Sequence, residues 1–235
     1  MTEVTHEPDE EDVEELEEAI ESKSETLTIA LWNATWGVEE IERLFTRSQG
    51  YYPKGSSDPV AAELAAGVRQ LNQTVAGLLN GDTSEPLDYV GEVQQRWQAE
   101  HRAGQLMNSA RLLAARLDDA TALLVERIEA DPLCTEESGS ESLGGLEKAY
   151  VHGYTEGVKL YVDTIDQARE ELIEPLRTLA TQQTAIMPDA FRQWYRQTLD
   201  TETTASLWGQ LDRAVETHSR RWRQLLDQCD VSPEP

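Results

Sequence analysis

The sequence predicts an all-α fold: an elongated helical bundle of about five or six long amphipathic helices, preceded by an acidic disordered N-terminal tail. Apolar residues recur at intervals of three and four through most of the chain. No segment alternates apolar with polar residues, so no sheet is expected. Trp194, Trp208 and Trp222 are spaced fourteen residues apart, which places them at one heptad position.

The N-terminus is the most acidic part of the chain. Residues 1–25 contain 12 acidic residues and one Lys, and few apolar residues. This composition predicts a solvated, disordered tail. The segment has no apolar core of the kind that a signal peptide needs, so none is expected.

The first predicted helix covers residues 26–47. Trp32 and Trp36 lie one turn apart on it, and Gly37 weakens it in the middle. Residues 50–57 are rich in Gly, Pro and Ser and predict a loop.

The second predicted helix has clear signals at both ends. Asp58 can cap its N-terminus and Pro59 suits its first position, while Asn80-Gly81 ends it. Its apolar residues form a strict heptad seam of Leu64, Val68, Leu71, Val75 and Leu78. Val at one heptad position and Leu at the other favour two-stranded coiled-coil pairing, so this seam is a candidate dimer interface.

Residues 87–130 are predicted to form the longest helix, with Gly104 as a candidate bend and Asp131-Pro132 as its end. The polar residues 133–142 predict a linker between an N-terminal helical region, 26–132, and a C-terminal one, 143–229. Residues 230–235 are expected to be disordered.

The C-terminal region opens with an apolar stripe that steps by four, four and three residues, an eleven-residue period. Pro175 is expected to kink this helix or to start a new segment after Glu174. The helix that carries the three tryptophans begins near Pro188 and is interrupted at residues 200–204. The predicted core includes Leu64, Val68, Leu71, Leu113, Leu117, Leu172, Trp208 and Leu211.

The charge balance narrows the range of partners. The chain has 45 acidic and 20 basic residues, a net charge of −25, and only four of its basic residues are Lys. Carboxylate enrichment with Lys depletion is typical of proteins from salt-in halophiles, and the alternative is an ordinary acidic mesophilic protein. The chain lacks the basic surface that nucleic acids and anionic membranes require, so neither partner is expected.

Cysteine usage indicates a reducing compartment. Cys134 and Cys229 are 95 residues apart and neither belongs to a paired motif. Free thiols are therefore expected, with Cys229 as a small buried apolar residue, and the predicted location is the cytoplasm.

No catalytic, cofactor or metal site is predicted. A di-iron bundle needs two Glu-x-x-His motifs, and the one match, Glu3 to His6, lies in the predicted tail. Ser140 lies in a linker rather than a nucleophile elbow. An enzyme remains an alternative only if a cleft gathers His101, His152 or His218 with carboxylates.

The C-terminal segment is the candidate interaction region. Residues 189–229 contain six acidic residues and six Arg, so the segment is neutral in a strongly acidic chain. Tryptophan and arginine are enriched at protein interfaces. The predicted interaction face comprises Trp194, Trp208, Trp222, Arg220, Arg221 and Arg223. Alternatively, these rings pack inside the protein's own bundle.

The segments YVHGYTEGVKLYVDTIDQAREEL, FRQWYRQTL and HSRRWRQLLDQ, within residues 143–229, resemble phasins and the helical E subunit of class III polyhydroxyalkanoate synthases. The resemblance implies a non-catalytic protein that coats storage-polyester granules or supports a synthase subunit. We therefore expect a structural or scaffolding protein that acts through its helix faces on a protein partner, on itself or on a hydrophobic granule surface. The alternative is a dimeric regulatory or adaptor subunit.

Overall fold

The computed structural model describes residues 10–55, 58–130 and 139–229. Every regular element within these ranges is a helix, so the all-α prediction is confirmed. The α-helices are α1 (Glu10–Thr35), α2 (Glu39–Leu44), α3 (Pro59–Leu79), α4 (Val90–Ala99), α5 (Arg102–Glu129), α6 (Gly139–Lys148), α7 (Leu160–Ala168), α8 (Glu174–Thr181), α9 (Asp189–Thr198) and α10 (Leu207–Asp227). Helices α6 to α8 belong to one continuous helix of residues 139–181, which we call the long helix.

Helix α1 begins earlier than the sequence predicts. The prediction of disorder through residue 25 is wrong from Glu10 onward, and residues 1–9 lie outside the described part of the chain. Glutamate has a good helix propensity, and carboxylates near the N-terminus interact favourably with the helix dipole. These two effects support a helix where composition alone predicts a solvated coil.

The predicted helix 26–47 is two helices. Helix α1 ends at Thr35, and Val38 has an extended backbone (φ −93°, ψ 146°) before α2 begins. The break follows Gly37, whose N–H donates to the Trp32 carbonyl at 3.0 Å.

The predicted ends of α3 are confirmed. The Asp58 carboxylate accepts the N–H groups of Val60 and Ala61 at 3.0 and 3.4 Å and also pairs with Arg102 at 2.7 Å. At the other end Gly81 has a φ of 82°, in the left-handed region that favours glycine.

The predicted helix 87–130 is also divided, by an extended Glu100 between α4 and α5. Gly104 lies in the first turn of α5, four residues after the extended Glu100. A Cβ at Gly104 would lie 2.1 Å from the Thr46 carbonyl oxygen. Glycine is therefore required there because the start of α5 crosses the backbone of residues 45–46 in direct contact.

The long helix widens in two places, with π-helical stretches at Ala149–Lys159 and Arg169–Ile173. Its apolar residues are often separated by two consecutive steps of four, which a helix with more residues per turn keeps on one face. Pro175 lies in the first turn of α8, directly after the second π-helical stretch. Of the predicted linker, residues 139–142 belong to α6, and residues 133–138 lie outside the described part of the chain.

A closed ring of hydrogen bonds fixes the loop before α3 against the bundle. The Tyr52 N–H donates to Ser109 Oγ at 2.9 Å, and Tyr161 Oη donates to the Tyr52 carbonyl at 2.7 Å. Because the Tyr161 hydroxyl donates to that carbonyl, it accepts from Ser109 Oγ, 2.8 Å away. Burial raises the pKa of the Tyr161 phenol, which keeps this donor protonated.

The helices share one main core. Helix α10 packs along α5, α2 packs against α4, and α3 packs against α8. A single cluster of buried side chains runs from Leu31 to Ala214 and so includes both predicted helical regions. All eight predicted core residues are buried: Leu64, Val68, Leu71, Leu113, Leu117, Leu172, Trp208 and Leu211. A second, smaller cluster comprises Leu124, Leu146, Leu225 and Leu226.

The described helices are too short or too polar to cross a bilayer.

Candidate functional site

The three tryptophans of the predicted interaction face do not share one helix face. Trp194 lies on α9, whereas Trp208 and Trp222 lie on α10, and the turn at residues 199–206 between the two helices breaks the heptad register. The predicted interruption at residues 200–204 is therefore confirmed, and the single tryptophan-bearing face is not formed.

Trp208 is a core residue. Its side chain is fully buried, its indole N–H donates to the Thr198 carbonyl at 2.8 Å, and the Arg169 guanidinium lies 5.7 Å from its ring centroid. These contacts join α9, α10 and the long helix. The predicted contact between Trp208 and a partner is replaced by contacts within the chain.

Trp194 belongs to a group of rings that we call the aromatic cluster, formed by Trp32, Trp36, Phe45, Phe191 and Trp194. Neighbouring ring centroids lie 4.8 to 6.5 Å apart, within the range of attractive aromatic pairs. Trp32 lies in α1, Trp36 directly after α1 and Phe45 directly after α2. Phe191 and Trp194 lie in α9. The sequence pairs Trp32 with Trp36, one turn apart, and it singles out Trp194, but it does not show that these rings meet, because the tertiary fold brings them together.

A cavity of about 280 Å³ opens beside the aromatic cluster. The residues that line it are Trp36, Ile41, Glu42, Phe45, Phe191 and Trp194. Trp36 and Ile41 are buried, whereas Phe45, Phe191 and Trp194 are partly exposed. The cavity therefore has an apolar floor and an aromatic rim.

Trp222 packs against the buried His218. Its indole N–H donates to His218 Nε2 at 2.9 Å, while His218 Nδ1 lies 3.0 Å from Thr121 Oγ1. Because an indole can only donate, Nε2 accepts and Nδ1 carries the proton. Tyr154 lies edge-on to the imidazole at 4.8 Å and bonds to Ser219 at 2.5 Å. Burial lowers the pKa of the His218 imidazole, so the ring is held neutral.

The arginines of the predicted face contact their own helix. Arg220 lies 3.5 Å from Glu216, Arg221 donates to Gln224 at 2.8 Å, and Arg223 donates to the Ser219 carbonyl at 3.4 Å. Exposed pairs of this kind contribute little to stability or binding.

The candidate dimer seam is occupied within the chain. Leu64, Val68, Leu71 and Val75 are buried in the main core, and Leu78 is partly buried against it. The periodicity is that of a coiled-coil surface, but α4 and α8 already cover this helix. A dimer through this seam would require the core to open.

The three histidines of the enzyme alternative have separate partners. His101 Nδ1 lies 2.8 Å from the Arg43 carbonyl, His152 pairs with Glu156 on the surface, and His218 is buried as described above. Within the described ranges, no group of three or more His, Cys, Asp or Glu side chains is placed to hold a metal ion.

The N-terminal part of α1 projects from the bundle. We call residues 10–26 the acidic arm; they contain nine acidic residues and one Lys. Every arm side chain that the structure describes is exposed, including Val13 at 43%. Burial begins at Leu27, which packs against the main core. The structure therefore presents the first half of α1 to solvent as a helix.

The disulfide bond of Cys229 shows that the prediction of free thiols is wrong. It packs against the second, smaller cluster and is disulfide-bonded. The sequence contains one other cysteine, Cys134, which lies outside the described residues. The prediction of two unpaired thiols rests on the 95 residues between the cysteines and on the lack of a paired motif, and neither reports a distance in the folded chain.

A model of a protein family matches residues 4–233, nearly the whole chain, and its description is "Protein of unknown function (DUF3080)". No curated protein and no solved structure matches the chain.

Proposed function

The chain belongs to the DUF3080 family of unknown function, and from its own geometry we propose that it is a non-catalytic helical scaffolding protein. The proposed binding element is the acidic arm. The proposed partner is a protein that presents a basic helical face with apolar residues along it.

The observation that carries this proposal is the exposure of the arm. Val13, Ile20 and Leu27 are seven residues apart and form one stripe along α1. Leu27 packs on the core, whereas Val13 and Ile20 lie beyond the bundle and are 43% and 56% exposed. An apolar stripe flanked by charge is the surface that helix-in-groove recognition uses.

Charge determines which partner fits. Nine carboxylates and one Lys in the acidic arm would repel a second copy of the same arm. A basic partner would be attracted, and complementary potentials speed association and exclude partners of like charge. The described arm carboxylates, Glu14, Glu15, Glu18, Glu21 and Glu25, form no ion pair with another described side chain, so these five charges are available to a partner.

Association with a polyester granule stays a prediction. The resemblance to phasins rests on the helical pattern of residues 143–229 and on the placement of their tryptophans, and Trp194 and Trp222 contact other rings of the bundle. Trp194 and Trp222 are partly exposed, so granule binding would require the bundle to open only for the ring surface that these contacts cover, whereas binding through the acidic arm would not require it.

The disulfide is relevant to the compartment in which the protein functions. The prediction of a cytoplasmic location rests in part on unpaired thiols, whereas Cys229 is disulfide-bonded. Disulfides persist in oxidising compartments and are rare in the cytosol of mesophiles. We therefore propose an oxidising compartment in place of the cytoplasm.

A titration with a designed peptide tests the proposed function. The probe is a fluorescent amphipathic helix with Lys on its polar face and Leu on the other. Replacing Glu14, Glu15, Glu18 and Glu21 by Gln should weaken its binding about tenfold or more, and added salt should weaken binding to the wild type.

The matched control carries the same number of charge-neutralising substitutions away from the arm, at Glu85, Asp88, Glu126 and Glu129. This variant should bind the peptide about as tightly as the wild type. Equal weakening in both variants would mean that the peptide responds to net charge alone, and the proposed role of the arm would be rejected.

A further inference from the structure

The cavity beside the aromatic cluster is lined mostly by aromatic residues. Aromatic residues make up 6% of the sequence, yet four of the six residues that line this cavity are aromatic, including both phenylalanines of the chain. The cavity lies between α2, α9 and the end of α1, so it is separate from the acidic arm.

The rings enclose the cavity from different directions. Phe45 and Trp194 stand nearly perpendicular, at 85°, with their centroids 5.0 Å apart. Trp36 is close to parallel with Phe45, at 25°, and stands at 63° to both Phe191 and Trp194. Rings at steep angles to one another line the same cavity, and the face of each ring carries the negative end of its quadrupole.

The cluster also contains an unpaired donor. Trp36 is 7% exposed, and its indole N–H has no hydrogen-bond partner among the described atoms. Buried donors are nearly always paired, because an unpaired one costs stability. The ring is therefore held in the wall by packing, as is the fully buried Trp97, whose indole N–H also has no partner among the described atoms.

The one charged residue that lines the cavity is negative. Glu42 is exposed at its edge and forms no ion pair with any described side chain, and none of the six lining residues is basic. A carboxylate beside aromatic faces attracts a cation twice, through its charge and through the ring quadrupoles.

We propose that this cavity binds a small organic cation with a methylated or quaternary ammonium group. The ring faces of Phe45, Phe191 and Trp194 contact the methyl groups, and Glu42 neutralises the charge. The cavity volume of about 280 Å³ suits a ligand of a few heavy atoms, since drug-sized ligands occupy roughly 300–1,000 Å³. A weakly hydrated ammonium loses little on leaving water, which favours it over a primary ammonium.

Calorimetric titration of the full chain tests the proposal. The probes are choline, tetramethylammonium and the neutral isostere of choline, in which a tert-butyl group replaces the trimethylammonium group. Both cations should bind saturably, and choline should bind at least about tenfold more tightly than its isostere. Absence of saturable binding of either cation at millimolar concentration would overturn the proposal, and so would equal affinity for choline and its isostere.

Two charge variants separate this site from a general attraction to an acidic protein. Glu42→Gln should weaken choline binding about fivefold or more, since it removes the carboxylate that lines the cavity. Glu39→Gln removes the same charge from the same helix but outside the cavity, and should change the affinity by less than about twofold. Equal effects of the two substitutions would contradict a site at Glu42.

The aromatic rim is tested by Trp194→Leu, with Phe191→Leu as a second variant should the first fail to fold. Circular dichroism establishes that the helices are retained. A folded variant of either kind should lose choline binding, and retention of wild-type affinity in a folded variant would overturn the proposal. None of these substitutions touches the acidic arm, so this result and the peptide titration are independent.

Discussion

Trp222 donates its indole N–H to Nε2 of His218 over 2.9 Å, and this bond determines which nitrogen of the buried imidazole carries the proton. The other ring nitrogen faces Thr121 at 3.0 Å on α5. The pair therefore joins α10 to α5 through a histidine that must stay neutral, because a protonated Nε2 could no longer accept from an indole.

The first prediction concerns pH. Burial places the pKa of His218 in the folded chain below its ordinary value of about 6.5. As the pH falls through about 6.5, the unfolded chain binds a proton that the folded chain does not, so the free energy of unfolding decreases. The stabilisation that comes from a neutral, buried His218 is fully present above about pH 6.5. It is lost as the pH falls toward the lower pKa that His218 has in the folded chain. We expect the melting temperature to fall between pH 7 and pH 5.

Other groups titrate in the same range, so the comparison needs a control variant. In His218→Gln the amide can still accept from Trp222 and donate to Thr121 but does not titrate. The difference in melting temperature between wild type and variant should shrink as the pH falls. A difference that is independent of pH would contradict the assignment of a neutral, buried His218.

The second prediction concerns close packing at Gly104. Alanine at this position would place its Cβ against the Thr46 carbonyl oxygen, a backbone atom that has little room to move. Gly104→Ala should destabilise the protein by about 2 kcal/mol or more in urea unfolding. Gly145→Ala is the matched control, because nothing lies within 4 Å of the position that its methyl group would take and alanine favours the helix. A neutral Gly104→Ala would mean that α5 does not cross residues 45–46 in contact.

Helical periodicity predicted the fold class, the core and the ends of α3 because each depends on local spacing or capping. It did not predict the breaks near Val38 and Glu100, where the backbone becomes extended between consecutive helices. Nor did composition predict helix in residues 10–25, because their charge resembles that of a disordered segment.

The aromatic cluster shows why the cavity could not be predicted. Phe45 and Phe191 are 146 residues apart and share no local pattern, yet both contact Trp36. The tryptophan spacing predicted one face, but the turn before α10 separates Trp194 from Trp208. Sites built from the ends of distant elements depend on tertiary geometry, which spacing does not encode.

The third prediction concerns the disulfide. The protein purified without reductant should contain no titratable thiol, since Cys229 is disulfide-bonded and the chain has one other cysteine. Reduction, or Cys229→Ser, should lower the free energy of unfolding by roughly 2–5 kcal/mol. Cys134→Ser should have the same effect as Cys229→Ser. Two reactive thiols in the native protein would contradict the disulfide.

The fourth prediction concerns salt. A chain of net charge −25 repels itself, and salt at molar concentration reduces the screening length to about 3 Å. If the composition reflects a salt-in halophile, the melting temperature should rise steadily up to molar KCl. An ordinary acidic protein should reach a plateau once repulsion is screened, at a few tenths molar, and that result would reject the halophile interpretation.

The central claim is that the acidic arm binds a basic partner, and site-specific photo-crosslinking in the protein's own host tests it most directly. The crosslinker replaces Ser22, which is exposed on the arm, or Gln95, which is exposed on α4. Our account predicts an adduct from position 22 with one basic protein, absent from position 95 and lost when Glu14, Glu15, Glu18 and Glu21 are replaced by Gln. No adduct at position 22, or the same adducts at both positions, would contradict it.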